Sequence, residues 1–125
     1  MNIILASQSP RRKALLNNLG LIFQSVPSDI DEVIYLHETP IESSSRIALE
    51  KARAVAKQGY KGSIIAADTI VVLNGSILGK PADVSDAINM LNLLSGCKHQ
   101  VMTSVCVLDT NYDDYEVQTE ITEVY

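Results

Sequence analysis

Two serines and two arginines lie close together near the N-terminus, in the segment Ser7-Gln8-Ser9-Pro10-Arg11-Arg12. Ser9 is a favourable N-cap and Pro10 suits the first helical position, so the segment predicts a helix start after a short strand. A helix N-terminus attracts anions, and hydroxyl and guanidinium groups add charge-assisted bonds to phosphate oxygens. The alternative is an ordinary capped helix with two solvated arginines, but cations there oppose the helix dipole by roughly 0.3–1 kcal/mol each unless an anion offsets them. We predict an anion site formed by Ser7, Ser9, Arg11 and Arg12.

A single carboxylate, Asp68, interrupts the longest apolar segment of the chain, residues 64–73. A carboxylate in a buried strand is costly unless it binds a cation or is fully hydrogen-bonded. The alternative is an aspartate on the solvated face of an edge strand. Because conflicts between local sequence and fold are often functional, we predict that Asp68 belongs to a functional site.

Three further charged residues could complete such a site. Glu32 follows a predicted strand, Lys51 lies on a predicted helix, and Lys80 follows a predicted hairpin. Magnesium prefers a few carboxylates together with substrate phosphate oxygens, so the carboxylates of Asp31-Glu32 and Asp68 could take part in a site for a divalent metal. Taken singly, each of the three is more commonly a solvated surface charge.

The segment around Lys80, Gly75-Ser76-Ile77-Leu78-Gly79-Lys80-Pro81, partly matches a phosphate-binding loop. The spacing of its glycines is one residue short, and Pro81 stands where a Ser or Thr is required. These departures disfavour a P-loop kinase, although Lys80 can still contact a phosphate as a point charge. The sequence contains neither a zinc ligand set nor a serine or cysteine triad.

Helix signals occur in three segments. The first helix starts at Ser9, the second at the capping box Thr39-Pro40-Ile41-Glu42, and the third at Asp83. Apolar residues recur at helical spacing in each. These residues are Leu15, Leu16 and Leu19 in the first helix, Ala48, Ala52, Val55 and Ala56 in the second, and Val84, Ala87, Ile88, Leu91 and Leu94 in the third.

Strands are predicted before, between and after these helices. Ser63–Leu73 is rich in β-branched residues, and Asn74-Gly75 after it predicts a tight hairpin returning through Ser76–Leu78. The other predicted strands are residues 2–6, 23–26, 99–108 and 115–125. We predict one α/β domain over residues 1–125, with a mixed sheet flanked by helices and Ser63–Leu73 as a central strand.

Composition limits the classes of function. The chain has 125 residues, 46% hydrophobic content and a net charge of -5, which is typical of a globular domain and argues against a general nucleic-acid binder. A signal peptide is not apparent, and the longest apolar run is too short to span a bilayer. Cys97 and Cys106 lack metal-ligand spacing and are expected to be reduced and packed. We predict a cytoplasmic protein without membrane or nucleic-acid partners, and the sequence leaves a homodimer open.

Taken together and in order, several motifs resemble the Maf family, also called septum-formation inhibitor proteins. The matching segments cover nearly the whole chain, and their collinear combination is highly specific. They are Leu5-Ala6-Ser7-Gln8-Ser9-Pro10-Arg11-Arg12, Leu19-Gly20, Asp31-Glu32, Glu50-Lys51-Ala52, Ala67-Asp68-Thr69, Leu78-Gly79-Lys80-Pro81, and Leu94-Ser95-Gly96 with His99, Val101 and Thr103.

The resemblance implies a Maf/ITPase-like fold and a nucleoside triphosphate pyrophosphatase that uses a divalent cation, Mg2+ or Mn2+. In family terms, Asp68 would be the general base or metal-positioning carboxylate, and Glu32 would help to hold the metal. The versions Ser-Pro-Arg-Arg and Asp-Thr resemble the branch that prefers dTTP and UTP. Substrate contacts would come from Ser7, Ser9, Arg11, Arg12, Lys51, Thr69 and Lys80.

Members of the family continue well beyond the length of this chain, with a stretch that helps to read the base. We therefore expect residues 1–125 to be the N-terminal two thirds of the family domain, with the C-terminal part of the fold missing. A second hypothesis is a non-catalytic nucleotide-binding module that regulates septum formation.

Overall fold

The computed structural model describes residues 2–79 and 83–125, which form three helices and six strands. In chain order the elements are β1 (Ile3–Leu5), α1 (Pro10–Asn18), β2 (Gln24–Ser25), α2 (Pro40–Lys57), β3 (Ser63–Leu73), β4 (Ser76–Leu78), α3 (Val84–Leu94), β5 (His99–Asp109) and β6 (Asp114–Val124). None of the helices in the described residues is long and apolar enough to cross a membrane.

The strands form one mixed sheet in the order β2-β1-β3-β5-β6, with β4 paired to β3. β1 runs parallel to both β2 and β3, whereas β3, β5 and β6 pair in antiparallel fashion. This arrangement confirms the predicted mixed sheet and the central position of β3.

Helix α2 packs on one face of the sheet and supplies its side of the core. Its start follows the predicted capping box, because Thr39 accepts a hydrogen bond from the Glu42 N–H and Glu42 accepts one from Thr39. The predicted apolar positions Ala48, Ala52 and Val55 are fully buried against β3 and β5. Burial of a side chain such as valine contributes about 1.5 kcal/mol or more, so this face fixes α2 on the sheet.

The apolar faces predicted for α1 and α3 lie on the surface. Leu15 of α1 is 58% exposed and Leu19, the C-cap residue of that helix, is 72% exposed, while Leu91 of α3 is 67% exposed. Periodicity identified the helices correctly, but it could not show whether a partner covers their apolar faces. Of the two cysteines expected to be packed, Cys106 is buried and Cys97 is exposed, so the expectation for Cys97 was wrong.

Strand β3 has an open stretch along one side. β5 pairs with it along nearly its whole length, while β1 pairs only with residues 63–65 and β4 only with residues 71–73 on the other side. Asn74 and Gly75, both with positive φ, form the tight turn between β3 and β4, which confirms the predicted hairpin. Within residues 2–79 and 83–125, no strand lies beside residues 66–70 on that side. The predicted site residues Asp68 and Thr69 lie in this gap.

Candidate active site

Asp68 lies at the bottom of the site, on the face of the sheet that α2 covers. Successive side chains of β3 alternate between the two faces of the sheet, and the even-numbered ones point inward. Asp68 is accordingly only 7% exposed. The predicted burial of this carboxylate is therefore confirmed, and the alternative of a solvated edge position is wrong. Its Oδ2 atom is buried and has no hydrogen-bond partner among the described residues. An acceptor in this position calls for a cation, a water molecule or a proton.

Lys51 lies between the two predicted carboxylates. Its Nζ is 2.7 Å from Oε1 of Glu32 and 3.5 Å from Oδ1 of Asp68, and it donates a 3.2 Å hydrogen bond to the carbonyl of Ala67. The Lys51 side chain is 13% exposed, so these contacts are little screened by solvent. α2, β3 and the loop after β2 thus each supply one charged residue to a single cluster.

The surroundings of Asp68 favour its protonated form. Burial raises the pKa of Asp68 above its ordinary value, Lys51 opposes that rise, and the nearby carboxylate of Glu32 adds to it. A carboxylate with a raised pKa holds a proton more readily than a solvated one, which is the property that a general base requires.

The predicted helix start forms the other wall of the gap. Ser9 is the N-cap of α1 and accepts from the backbone N–H of Arg12, while Ser7 Oγ accepts a 3.0 Å bond from the Ser9 N–H. The guanidinium of Arg12 reaches Thr69, with Nη2 3.5 Å from Oγ1, and Thr69 is 3.1 Å from the hydroxyl of Thr103. The structure therefore brings Ser7, Ser9, Arg12 and Thr69 together on the outer face of β3, and the charge of Arg12 is close enough to Asp68 to oppose the rise in its pKa.

One predicted substrate-binding residue, Arg11, stands apart from this group. Arg11 is exposed, and within the described residues it makes no hydrogen bond or ion pair with the others. Lys80 lies outside the described residues.

A cavity of about 400 Å³ opens beside the charged cluster. Glu32, Asp68 and Thr69 line its polar end, and the rest of its wall is mainly apolar. The apolar lining residues include Ile34, Ile47, Ile70, Ile77, Leu78 and Met90. Such a cavity has room for part of a small-molecule ligand whose charged groups lie at the polar end.

The structure adds residues that sequence reasoning missed. Arg46 of α2 binds both carboxylate oxygens of Glu38 and also the backbone carbonyl of Val33, immediately after Glu32. An arginine two turns after a helix N-cap gives no local signal that it anchors a preceding loop. The contact could be found only once the loop and α2 were known to be neighbours.

The donor set at this site suits a divalent cation only in part. No group of three or more metal-ligating side chains occurs in the part of the chain that the structure describes. Asp68 nevertheless has a buried oxygen without a partner, and Glu32 approaches the same ammonium. Two carboxylates completed by phosphate oxygens are the type of site that Mg2+ uses, so these residues fit such an ion.

Several solved structures have a similar fold. A nucleoside-triphosphatase, also described as a dITP/XTP pyrophosphatase, from Mycobacterium abscessus superposes with a TM-score of 0.63 at 19% identity, over 98% of this chain and 73% of that one. A HAM1 protein from Coxiella burnetii gives a TM-score of 0.63 at 18% identity, over 98% of this chain and 71% of that one. The α/β fold predicted from the sequence is thus the fold of these proteins.

Sequence comparison identifies the family of this chain more narrowly than fold similarity does. The model of the Maf family, described as Maf-like protein, matches residues 2–125, and the chain belongs to this family. A dTTP/UTP pyrophosphatase from Syntrophomonas wolfei is 49% identical over 121 residues, which are 97% of this chain and 64% of that protein. A protein of the same name from Ruminiclostridium cellulolyticum is 49% identical over 124 residues, or 98% of this chain and 64% of that protein. The chain therefore spans about two thirds of the length of these relatives.

Proposed function

We propose that this chain carries the phosphate-binding and catalytic part of a nucleoside triphosphate pyrophosphatase that acts on dTTP and UTP. The observation that carries the proposal is the cluster of Asp68, Lys51 and Glu32 beside the start of α1, at the polar end of a cavity. The names of the curated relatives, dTTP/UTP pyrophosphatase, support the choice of substrate.

In the proposed reaction, one set of residues binds and orients the triphosphate, and Asp68 accepts a proton. Arg12 and Lys51 would bind the triphosphate, and the hydroxyls of Ser9 and Thr69 would add hydrogen bonds to it. Water adds to the α-phosphorus, and the bond from this phosphorus to the oxygen that bridges it to the β-phosphate breaks. The proton of the water passes to Asp68. The products are the nucleoside monophosphate and pyrophosphate.

A divalent cation, Mg2+ or Mn2+, completes the proposed site. Asp68 and Glu32 would hold it, and it would supply positive charge that offsets the developing charge on the phosphate oxygens. Lys51 pairs with both carboxylates and offsets only one of their two charges, so a cation held there would supply the remaining positive charge and would leave the ammonium available to the phosphates.

The test is a pyrophosphate-release screen over nucleoside triphosphates with Mg2+ or Mn2+. It should be run on residues 1–125 and on a chain extended to the length of the curated relatives. We expect dTTP and UTP to be the preferred substrates. Release from neither chain would overturn the proposal, and nucleotide binding without release would favour the non-catalytic regulatory module.

The cellular setting follows from the same proposal. We propose that the protein acts in the cytoplasm on free nucleotides, without nucleic-acid or membrane partners. Sedimentation would test whether it forms a homodimer.

Arg12→Met is expected to raise the KM for dTTP about 10- to 100-fold, because hydrogen bonds to charged groups contribute about 1.5–3 kcal/mol. Lys13→Met removes one charge from the same helical turn and is the matched control, with a KM close to that of the parent. Arg11→Met, measured alongside, tests the sequence prediction that both arginines bind the anion. If neither arginine variant changes nucleotide affinity, the anion site is not at the start of α1.

A further inference from the structure

The segment that carries Glu32 is a long loop, and its position depends on side-chain anchors. Residues 26–39 connect β2 to α2, and between them no helix or strand holds Glu32 in place. Glu32 itself is 30% exposed, and its contact with Lys51 joins it to α2. The position of this carboxylate relative to Asp68 therefore depends on how the loop is fixed to α2.

Arg46 is the strongest anchor of that loop. Its Nε lies 2.8 Å from Oε2 of Glu38 and its Nη2 lies 2.9 Å from Oε1, which is a bidentate pair. Nη2 also donates to the backbone carbonyl of Val33, the residue after Glu32. The same guanidinium stacks over the ring of Tyr35, 4.5 Å from its centroid. One side chain of α2 thus holds three points of the loop between Val33 and Glu38.

The anchor is itself held in a fixed orientation. Nη1 of Arg46 lies 3.0 Å from Glu50, one turn further along α2, and Glu38 also accepts a 3.1 Å hydrogen bond from the buried Ser43. The guanidinium of Arg46 holds the pKa of Glu38 below its ordinary value. Arg46 is 21% exposed and Glu38 11% exposed, so water competes only weakly for these bonds.

We propose that Arg46 is a positioning residue of the site, which fixes the loop after β2 and through it the carboxylate of Glu32 beside Lys51 and Asp68. This inference rests on the proposed function of the same site. Arg46 lies outside the group that would contact substrate, so its effect must pass through Glu32. Lysine at this position could not hold the bidentate pair and the Val33 carbonyl at once, because only the planar guanidinium presents donors in a fork.

The test measures Mn2+ binding directly, by electron paramagnetic resonance of the free ion, alongside the rate of pyrophosphate release. In Arg46→Met the affinity for Mn2+ is expected to fall about 10- to 100-fold, which is the usual effect of losing a residue that orients a metal ligand. Arg53→Met is the matched control, since Arg53 lies two turns along the same helix over the ring of Tyr115 and, among the described residues, makes none of the hydrogen bonds that hold Val33 and Glu38. Its Mn2+ affinity should equal that of the parent.

A double-mutant cycle separates positioning from a general structural effect. If Arg46 acts through Glu32, the double variant Arg46→Met/Glu32→Gln should bind Mn2+ almost as well as the single variant Glu32→Gln. The inference is overturned if Arg46→Met binds Mn2+ like the parent, if the two losses multiply fully, or if Glu32→Gln leaves Mn2+ affinity unchanged. A parent that binds Mn2+ through Glu32 and Arg46 but releases no pyrophosphate would contradict the proposed function alone.

Discussion

Asp68→Asn is expected to lower the rate of pyrophosphate release by about 10²–10⁴-fold, the usual contribution of a positioned proton acceptor, with a further loss if metal placement also suffers. Asparagine keeps the size of the side chain but removes its negative charge and its ability to accept the proton of water. The rate should be measured at saturating nucleotide and cation, in a chain long enough to be active. Asp113→Asn is a matched control, because Asp113 is exposed in the β5–β6 turn and its φ of 47° suits asparagine.

The titration of Asp68 and the pH dependence of the free energy of unfolding provide a second test of the same residue. Because burial raises the pKa of Asp68 in the protein without a bound cation, its carboxyl should titrate above the range of an ordinary aspartate when followed by NMR in the absence of metal. A raised pKa in the folded state means that the folded protein binds the proton more tightly than the unfolded chain, so this group lowers stability as pH rises through that pKa. Asp68→Asn should therefore be at least as stable as the parent at neutral pH and lose that advantage in acid. A variant that folds normally and hydrolyses dTTP within a few-fold of the parent would remove Asp68 from the mechanism.

Lys51→Met is expected to have the largest effect on the free energy of unfolding. It leaves the buried carboxylate of Asp68 without its cation and removes the 2.7 Å partner of Glu32. Removing one partner of a buried pair costs about 3–5 kcal/mol, and the partial exposure of Glu32 places this case at the lower end. The free energy of unfolding can be measured by urea denaturation at several pH values.

The loss in Lys51→Met should be greatest at alkaline pH and should shrink as the pH falls. Without the ammonium the pKa of Asp68 rises further, so the unpaired charge is removed once the carboxyl takes up a proton. Lys57→Met, at the exposed end of the same helix, is the control and should cost no more than about 1 kcal/mol. The double variant Lys51→Met/Asp68→Asn should recover part of the stability. Equal losses in Lys51→Met and Lys57→Met would mean that the buried cluster does not stabilise the fold.

Much of the fold could be predicted from the sequence because its signals are local. The capping box at Thr39 and Glu42 fixes the start of α2, and the pair Asn74-Gly75 fixes the hairpin, each through contacts between near neighbours in the chain. The start of α1 at Ser9 was also predicted correctly, but the apolar face predicted for this helix is not buried, because exposure of its leucines depends on what lies opposite them. That information is not local, so it could not be read from the helix.

The candidate site shows the same division. The conflict between Asp68 and its apolar strand was visible in the sequence, because a carboxylate inside a run of apolar residues is recognised from residue types alone and its burial is costly without a partner. The contact of Lys51 with both Glu32 and Asp68 joins three distant segments and could be stated only as a set of candidates. Arg46 carried no signal, since an arginine on a helix surface looks the same whether it meets solvent or a loop.

The open side of β3 makes alternate residues of one central strand differ in their amide hydrogen exchange. The carbonyl of Ala67 accepts from Lys51 on the side away from β5, so the N–H groups of Ala67 and Thr69 point the same way, into the gap. Those of Asp68 and Ile70 point towards β5 and lie within the ladder. The middle of the sheet should thus contain fast and slow amides in alternation. A nucleotide bound in the gap would slow the fast set and leave the slow set unchanged.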